Sequence, residues 1–228
     1  MKKHIVILTG AGMSAESGIK TFRDADGLWE GHDVMEVATP EGFQRNPELV
    51  LDFYNQRRRQ LNEVEPNQAH KDLVTLETDH KVTIITQNVD DLHERAGSSN
   101  VIHLHGELRK IRSSKNVNNI KVWNEDIHLG DNCEEGHQLR PHIVWFGEAV
   151  PMIEKAMEVC QKADILVIIG TSMQVYPAAG LMDFAPAKTP IYYIDPKPAI
   201  QSGGKITVIP KSATEGTVDL LSILNSNE

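Results

Sequence analysis

Cysteine is scarce in this 228-residue sequence: Cys133 and Cys160 are its only two, and they lie far apart. They build no disulfide framework, and such usage agrees with a reducing compartment. Long apolar runs are missing too. No stretch approaches membrane-spanning length, and the apolar run behind Lys2 and Lys3 is too short for a signal peptide. A soluble, cytoplasmic protein without membrane contact is therefore expected. Positive charge is also in deficit, with a formal net charge of −9. That balance disfavours nucleic acid and favours basic partners such as lysine-bearing segments. Internal repeats, low-complexity tracts and Pro/Gly-rich linkers are absent. What remains is a chain 40% hydrophobic, able to bury a sizeable core as one domain, or as a large domain carrying a smaller one.

The chain is organised around Gly10–Trp29, directly behind the apolar run Ile5-Val6-Ile7-Leu8, which reads as a buried strand feeding a turn. Gly10, Gly12 and Ala15, with Ala11 and Ser14 between them, have the G-x-G-x-x-G/A spacing that lets backbone approach a pyrophosphate at a helix N-terminus. An ordinary glycine turn is the competing reading. Gly18 then interrupts the helix, and the polar stretch from Lys20 to Gly27 reads as a long functional loop. In it, Arg23 suits a phosphate and Phe22 suits the shielding of a reactive sugar carbon from water.

Further along, strands alternate with helices, which implies a parallel sheet with right-handed crossovers and an α/β fold. Expected strands are Val82–Thr86, Val101–His105, a strand-like run Pro141–Glu148, Ile165–Ile169, Ile191–Ile194 and Ile206–Ile209. Expected helices follow Pro40 behind a Thr39 cap, run over Glu48–Leu61, Asn67–Leu76 and Pro151–Lys162, and start again at Tyr176-Pro177 and after Ser212, which has capping-box spacing to Glu215. Cys160 reads as core. The polar Arg109–Arg140 stretch reads as an excursion from the sheet. Ligands of open α/β sheets gather at the carboxyl ends of strands. Those ends carry Gln87-Asn88-Val89-Asp90, His105-Gly106 and Gly170-Thr171-Ser172. The first suits a ribose or a helix cap, and His105 suits general-base work because imidazole titrates near neutrality.

Taken together, the glycine segment, Thr86–Asp90, His103–Leu108, Val144–Glu148 and Gly170–Ser172 with Val175-Tyr176-Pro177 resemble the sirtuins, NAD-dependent protein lysine deacylases, in the family's order. The resemblance implies a Rossmann-type parallel sheet with helices on both faces (1–29, 68–107, 141–228) carrying a small domain made from two insertions, 30–67 and 108–140. It implies NAD as cofactor and acylated lysine segments of proteins as partners. Nicotinamide would be displaced by the acyl oxygen, and free lysine and O-acyl-ADP-ribose released. His105 would be the base, Asn88 would place the ribose or a water, Gln87 would bind the ribose, and Asp90 would organise the nicotinamide pocket. Gly10, Ala11, Gly12, Ser14, Ala15, Phe22, Arg23 and Trp29 would belong to the cofactor site, with Gly170, Thr171, Ser172, Asp195 and Ala213 lining the adenosine half. Asp195 stands where the family commonly has asparagine.

On the substrate side, Val144, Trp145, Phe146, Gly147 and Glu148, with Val175 and Tyr176 opposite, would sandwich the substrate backbone as an added strand. Tyr54 and Arg57, three apart on one helix, resemble the pair of the branch that removes succinyl and malonyl groups; a guanidinium grips a distal carboxylate and a phenol adds a hydrogen bond. A basic helical face shared with Arg58 and Arg59 is the alternative. The four cysteines that hold zinc in many sirtuins are not here: the corresponding stretch offers Ser113, Ser114 and Cys133, so zinc is not expected. Protein mono-ADP-ribosyl transfer and a silent NAD- or ADP-ribose-binding module are the competing functions. A dehydrogenase is disfavoured because the glycine unit leads into a polar loop instead of a second strand with its ribose-binding acid.

Overall fold

The computed structural model describes residues 2–20, 28, 29 and 31–226. The strands are β1 (His4–Thr9), β2 (Leu28–Trp29), β3 (His32–Asp33), β4 (Lys81–Thr86), β5 (Val101–His103), β6 (Gly106–Ser113), β7 (Ile120–Val122), β8 (Leu139–Ile143), β9 (Ile165–Ile169), β10 (Ile191–Ile194) and β11 (Ile206–Ile209). The α-helices are α1 (Val34–Val37), α2 (Pro40–Arg45), α3 (Pro47–Gln60), α4 (Gln68–Thr75), α5 (Leu92–Ala96), α6 (Ile153–Cys160) and α7 (Ala213–Ser226).

Six strands form one parallel sheet in the order β11-β10-β9-β1-β4-β5. The β-branched runs of the four inner strands are buried on both sides, which is why they read as continuous rather than alternating. Ile5, Ile7, Ile84, Val167 and Ile169 pack with Leu73 of α4 and Leu220 of α7 on one face. Val6, Leu8, Ile85, Leu166 and Ile168 meet Ala156 and Cys160 of α6 and Leu181 on the other. The chain leaves β1 toward β4 and β5, then crosses back to β9 on the opposite side. The switch point therefore lies between the ends of β1 and β9.

A second unit sits over that end of the sheet. β6, β7 and β8 form an antiparallel sheet, so the polar Arg109–Arg140 excursion is largely strand and turn. α3 packs Leu51 on Ile111 and Leu139 of this sheet and on Ile127 of the β7–β8 connection, and Phe53 and Tyr54 on Leu108, Ile143 and Trp145. Asn46 caps α3 by accepting from Leu49 N at 3.1 Å, and Thr39 caps α2 by accepting from Gly42 N at 2.9 Å.

Four local expectations are corrected. The glycine segment forms two short 3-10 turns, Ala11–Met13 and Ala15–Ser17, instead of an α-helix. The strand at Val101 ends at His103. Residues 144–148 turn away after β8, with Gly147 at φ +88°, so Val144–Glu148 is no strand. A 3-10 helix, Ala178–Phe184, follows Tyr176-Pro177. At α7, moreover, the N-terminus is served from afar: the carboxylate of Glu16 accepts from Thr214 N at 2.9 Å, Thr214 Oγ1 at 2.6 Å and Ser212 Oγ at 3.1 Å.

Candidate active site

At the switch point the glycine turn lies directly on the end of β9. Gly10 N donates to Ile169 O and Gly12 N to Gly170 O, at 3.0 and 2.8 Å. A Cβ on Gly12 would stand 2.6 Å from Gly170 Cα, and one on Gly10 would stand 2.8 Å from Gly170 O. These glycines are needed for backbone-on-backbone packing as much as for any ligand. Glu16, by capping α7, ties the same segment to Ala213.

Above this floor opens a cavity of about 470 Å³. Gly10, Ala11, Gly12, Ser14, Ala15, Gly170, Thr171, Ser172, Asp195 and Ala213 line one end. Trp29, Gln87, Asn88, Asp90 and His105 lie along it, and Tyr54, Val144–Glu148, Val175 and Tyr176 close the other end. Phe22 and Arg23 fall outside the described residues. The wall also includes Glu16, Lys20, Lys197 and Ser212, which the sequence motifs did not single out. For Glu16 and Ser212 the signal is tertiary, the cap that joins them. Lys20 opens the polar stretch already read as a functional loop, and we find no sequence signal for Lys197.

The polar side chains of the middle section hold one another. Asn88 Nδ2 donates to Ser14 Oγ at 3.0 Å, and Ser14 Oγ donates to Asp90 Oδ2 at 2.9 Å. Asp90 Oδ1 also accepts from Leu92 N at 3.2 Å, the helix-cap contact, so capping and site roles coincide at this residue. Burial pushes the Asp90 carboxyl up; its bonds from Ser14 and Leu92 N oppose the rise without cancelling it. Gln87 Nε2 reaches Thr171 Oγ1 at 3.1 Å, joining the ends of β4 and β9.

His105 Nδ1 lies 3.1 Å from Gln87 O. A carbonyl only accepts, so Nδ1 carries the proton and Nε2 of the neutral ring keeps its lone pair. Burial lowers the imidazole pKa, and the Gln87 contact only partly offsets this, so the ring is a neutral base at neutral pH. His103, on the same face, contacts the next carbonyl, Asn88 O, at 3.2 Å and Glu94 at 2.7 Å. Two imidazoles thus fasten two consecutive peptides of the Gln87-Asn88 turn.

At the far end, Tyr54 is buried in the wall and accepts from Trp145 Nε1 at 2.9 Å. Phe146, 45% exposed, and Tyr176, 76% exposed, stand at the rim. The N–H groups of Val144, Trp145, Phe146 and Glu148 are all taken internally, by His105 O, Glu148 Oε2, Ala38 O and Trp145 O. Glu148 itself is bound by Arg112 at 3.0 Å and Arg140 at 2.8 Å. Arg57 is not among the described residues lining the cavity: its guanidinium sits 4.0 Å over the Phe53 ring and donates to Phe53 O at 2.8 Å. Its neighbours diverge, Arg58 fully buried against Leu108 O and Arg59 paired with Asp126 at the surface, so the three arginines form no common basic face.

Cys133 Sγ contacts Ser113 Oγ at 3.4 Å, and among the described residues no three His, Cys, Asp or Glu side chains converge as metal ligands. Nor, among those residues, is any helix long and apolar enough to cross a membrane.

A family model described as the Sir2 family matches residues 10–177. An NAD-dependent protein deacylase of Helicobacter pylori is 64% identical over 195 residues, which cover 86% of this chain and 85% of that protein. One of Bacteroides thetaiotaomicron is 55% identical over 229 residues, 97% of this chain and 98% of its own length. Among solved structures, a Sir2 homologue in complex with NAD superposes with a TM-score of 0.87 at 39% identity, over 99% of this chain and 90% of that one. A variant Sir2 homologue bound to ADP-ribose gives 0.89 at 38%, over 99% and 93%.

Proposed function

The chain belongs to the Sir2 family, and from that premise we propose how its cavity removes acyl groups from protein lysines. It is an NAD-dependent protein deacylase. When bound, NAD would supply the ribose that accepts the acyl group: acyl-lysine, NAD and one water are consumed, and free lysine, nicotinamide and O-acyl-ADP-ribose are released. The cavity fits such a ligand: a glycine floor without side chains at one end, polar groups midway, an apolar pocket beyond. The observation that carries the reading is that His105, fixed with Nε2 as acceptor, shares this cavity with the Asn88–Ser14–Asp90 chain and the switch-point glycines.

In this reading Gly10–Ala15, Gly170–Ser172, Asp195 and Ala213 hold the dinucleotide, and Phe22, Arg23 and Trp29 are assigned to the same cofactor from the sequence. Gln87 and Asn88 hold the ribose, Asp90 organises the nicotinamide pocket, and His105 Nε2 takes the proton of a ribose hydroxyl. The acyl-lysine segment lies between Val144–Glu148 and Val175-Tyr176, supported by the exposure of Phe146 and Tyr176 at the rim. Residues 1–29, 68–107 and 141–228 form the NAD-binding domain, and 30–67 with 108–140 the small one. The small domain folds without zinc, supported by the Cys133–Ser113 contact. Two free cysteines and the acidic charge support a cytoplasmic enzyme that does not act on nucleic acid.

Succinyl and malonyl groups are substrates beside acetyl, through Tyr54 at the cavity wall and Arg57 one turn later. The test is mass spectrometry of matched acetyl-lysine and succinyl-lysine peptides with and without NAD. NAD-dependent acyl loss with O-acyl-ADP-ribose is expected for both, and Arg57→Met suppresses the succinyl reaction far more than the acetyl one. Equal loss of both refutes the role of Arg57, and protein ADP-ribosylation without deacylation refutes the whole reading.

A further inference from the structure

Trp145, like Tyr54, lines the cavity with almost all of its side chain packed into the wall. Its indole N–H ends on Tyr54 Oη at 2.9 Å. Indole only donates, so the phenol oxygen is the acceptor and its own proton is directed elsewhere. Tyr54 forms part of the cavity wall, on the side to which the proposed function assigns the acyl end of a substrate.

The indole is held by Arg140 and Phe43, and Glu148 fixes the backbone that carries it. The Arg140 guanidinium lies 3.2 Å from the centre of its ring face. Glu148 accepts from Trp145 N at 2.8 Å and from Arg140 Nη1 at 2.8 Å, and Phe43 packs at 5.2 Å. A cation on the ring face withdraws electron density and sharpens the N–H as a donor. We propose that Trp145 is a positioning residue for acyl choice: by occupying the phenol oxygen it holds Tyr54 as a proton donor toward a carboxylate at the end of the acyl group.

The inference rests on the reading that Tyr54 meets succinyl and malonyl carboxylates. Its role is confined to that terminus. An acetyl group has no carboxylate to receive the bond, so the ratio of the two rates cancels any effect of these positions on peptide binding that both substrates share.

The experiment is a double-mutant cycle of Tyr54→Phe, Trp145→Phe and the pair, reading kcat/KM on matched succinyl and acetyl peptides. Trp145→Phe is expected to lower the succinyl-to-acetyl ratio roughly five- to ten-fold, the range of one hydrogen bond. The double variant is expected to equal Tyr54→Phe alone, because Trp145 acts through Tyr54. Should the phenylalanine variant fail to fold, benzothienylalanine at position 145 keeps the bicyclic shape and removes only the N–H, and the same ratio is read. A ratio that falls with Tyr54→Phe but is untouched at position 145 overturns the role of Trp145, as does full additivity in the cycle. A ratio unmoved by Tyr54→Phe overturns the carboxylate reading beneath it.

Discussion

Replacing Glu148 by glutamine should destabilise this protein clearly, although the carboxylate is partly exposed. Its carboxylate stands between Arg112 and Arg140, each side chain only 7% exposed and the carboxylate 21%. Both guanidiniums bond to it, at 2.8–3.2 Å. Glutamine keeps an acceptor for Trp145 N but leaves two nearly buried cations facing each other. Breaking a buried pair costs about 3–5 kcal/mol, and the partial exposure of the carboxylate places this one near about 3. For a chain of this size about 1 kcal/mol moves Tm by about 2–4 °C, so a fall of about 6–12 °C is expected by calorimetry at neutral pH. The acid behaviour fixes the sign. Burial raises the Glu148 pKa, but the Arg140 bond and the two guanidiniums outweigh it and hold the pKa below the usual carboxylate range. A depressed folded pKa means a contribution fully present above the unfolded value of about 4.3 and lost as pH falls through the folded one. The Tm gap between the two proteins should therefore be flat from pH 8 to 6 and close below about pH 4. A gap under about 2 °C at neutral pH, or one that widens on acidification, refutes the reasoning.

His105→Ala should abolish turnover while NAD still binds by calorimetry. Because burial lowers the His105 pKa, the base is neutral above it and the kcat/KM of the wild type should fall only as pH drops below about 6.5; an acid limb above that value contradicts the assignment. Gly12→Ala drives a Cβ to 2.6 Å from Gly170 Cα, backbone that cannot yield cheaply, so a loss of about 1–3 kcal/mol and at least about ten-fold weaker NAD binding are expected; wild-type affinity would refute the close approach. Metal analysis of protein purified without added metal should find no stoichiometric zinc, and one zinc per chain would overturn the zinc-free small domain.

The sheet was legible almost residue by residue. Ile165–Ile169 and Ile191–Ile194 match their strands because an apolar run that short, bounded by turn residues, has no other way to bury both faces, and the edge strand Ile206–Ile209 matches on its β-branched content. The errors share a cause. Ser212 and Glu215 have the spacing of a reciprocal cap, yet the partner that serves α7 is Glu16, 198 positions from Thr214. Val144–Phe146 is apolar enough for a strand, yet Glu148 folds back onto Trp145 N because two arginines from β6 and β8 already hold its carboxylate. Local spacing names the groups that need partners; only the fold decides which partners arrive.

The arginine run on α3 shows what that distinction means for the site. Successive helical residues point about 100° apart, so Arg57, Arg58 and Arg59 cannot share a direction. Arg58 turns inward, fully buried, and donates to Leu108 O and Asn55 Oδ1 at 2.9 and 2.8 Å, which ties α3 to the first strand of the small sheet. Arg59 turns outward to Asp126. That leaves Arg57, three residues from Tyr54 and so on its side of the helix, as the member of the run in register with the cavity wall. In this structure its guanidinium covers Phe53, whose ring also packs against Trp29 at 5.0 Å and Tyr54 at 5.1 Å. The proposed grip on an acyl carboxylate therefore requires Arg57 to exchange its bond to Phe53 O for one to the substrate, a step that Arg57→Met, read on succinyl against acetyl peptides, puts to the test.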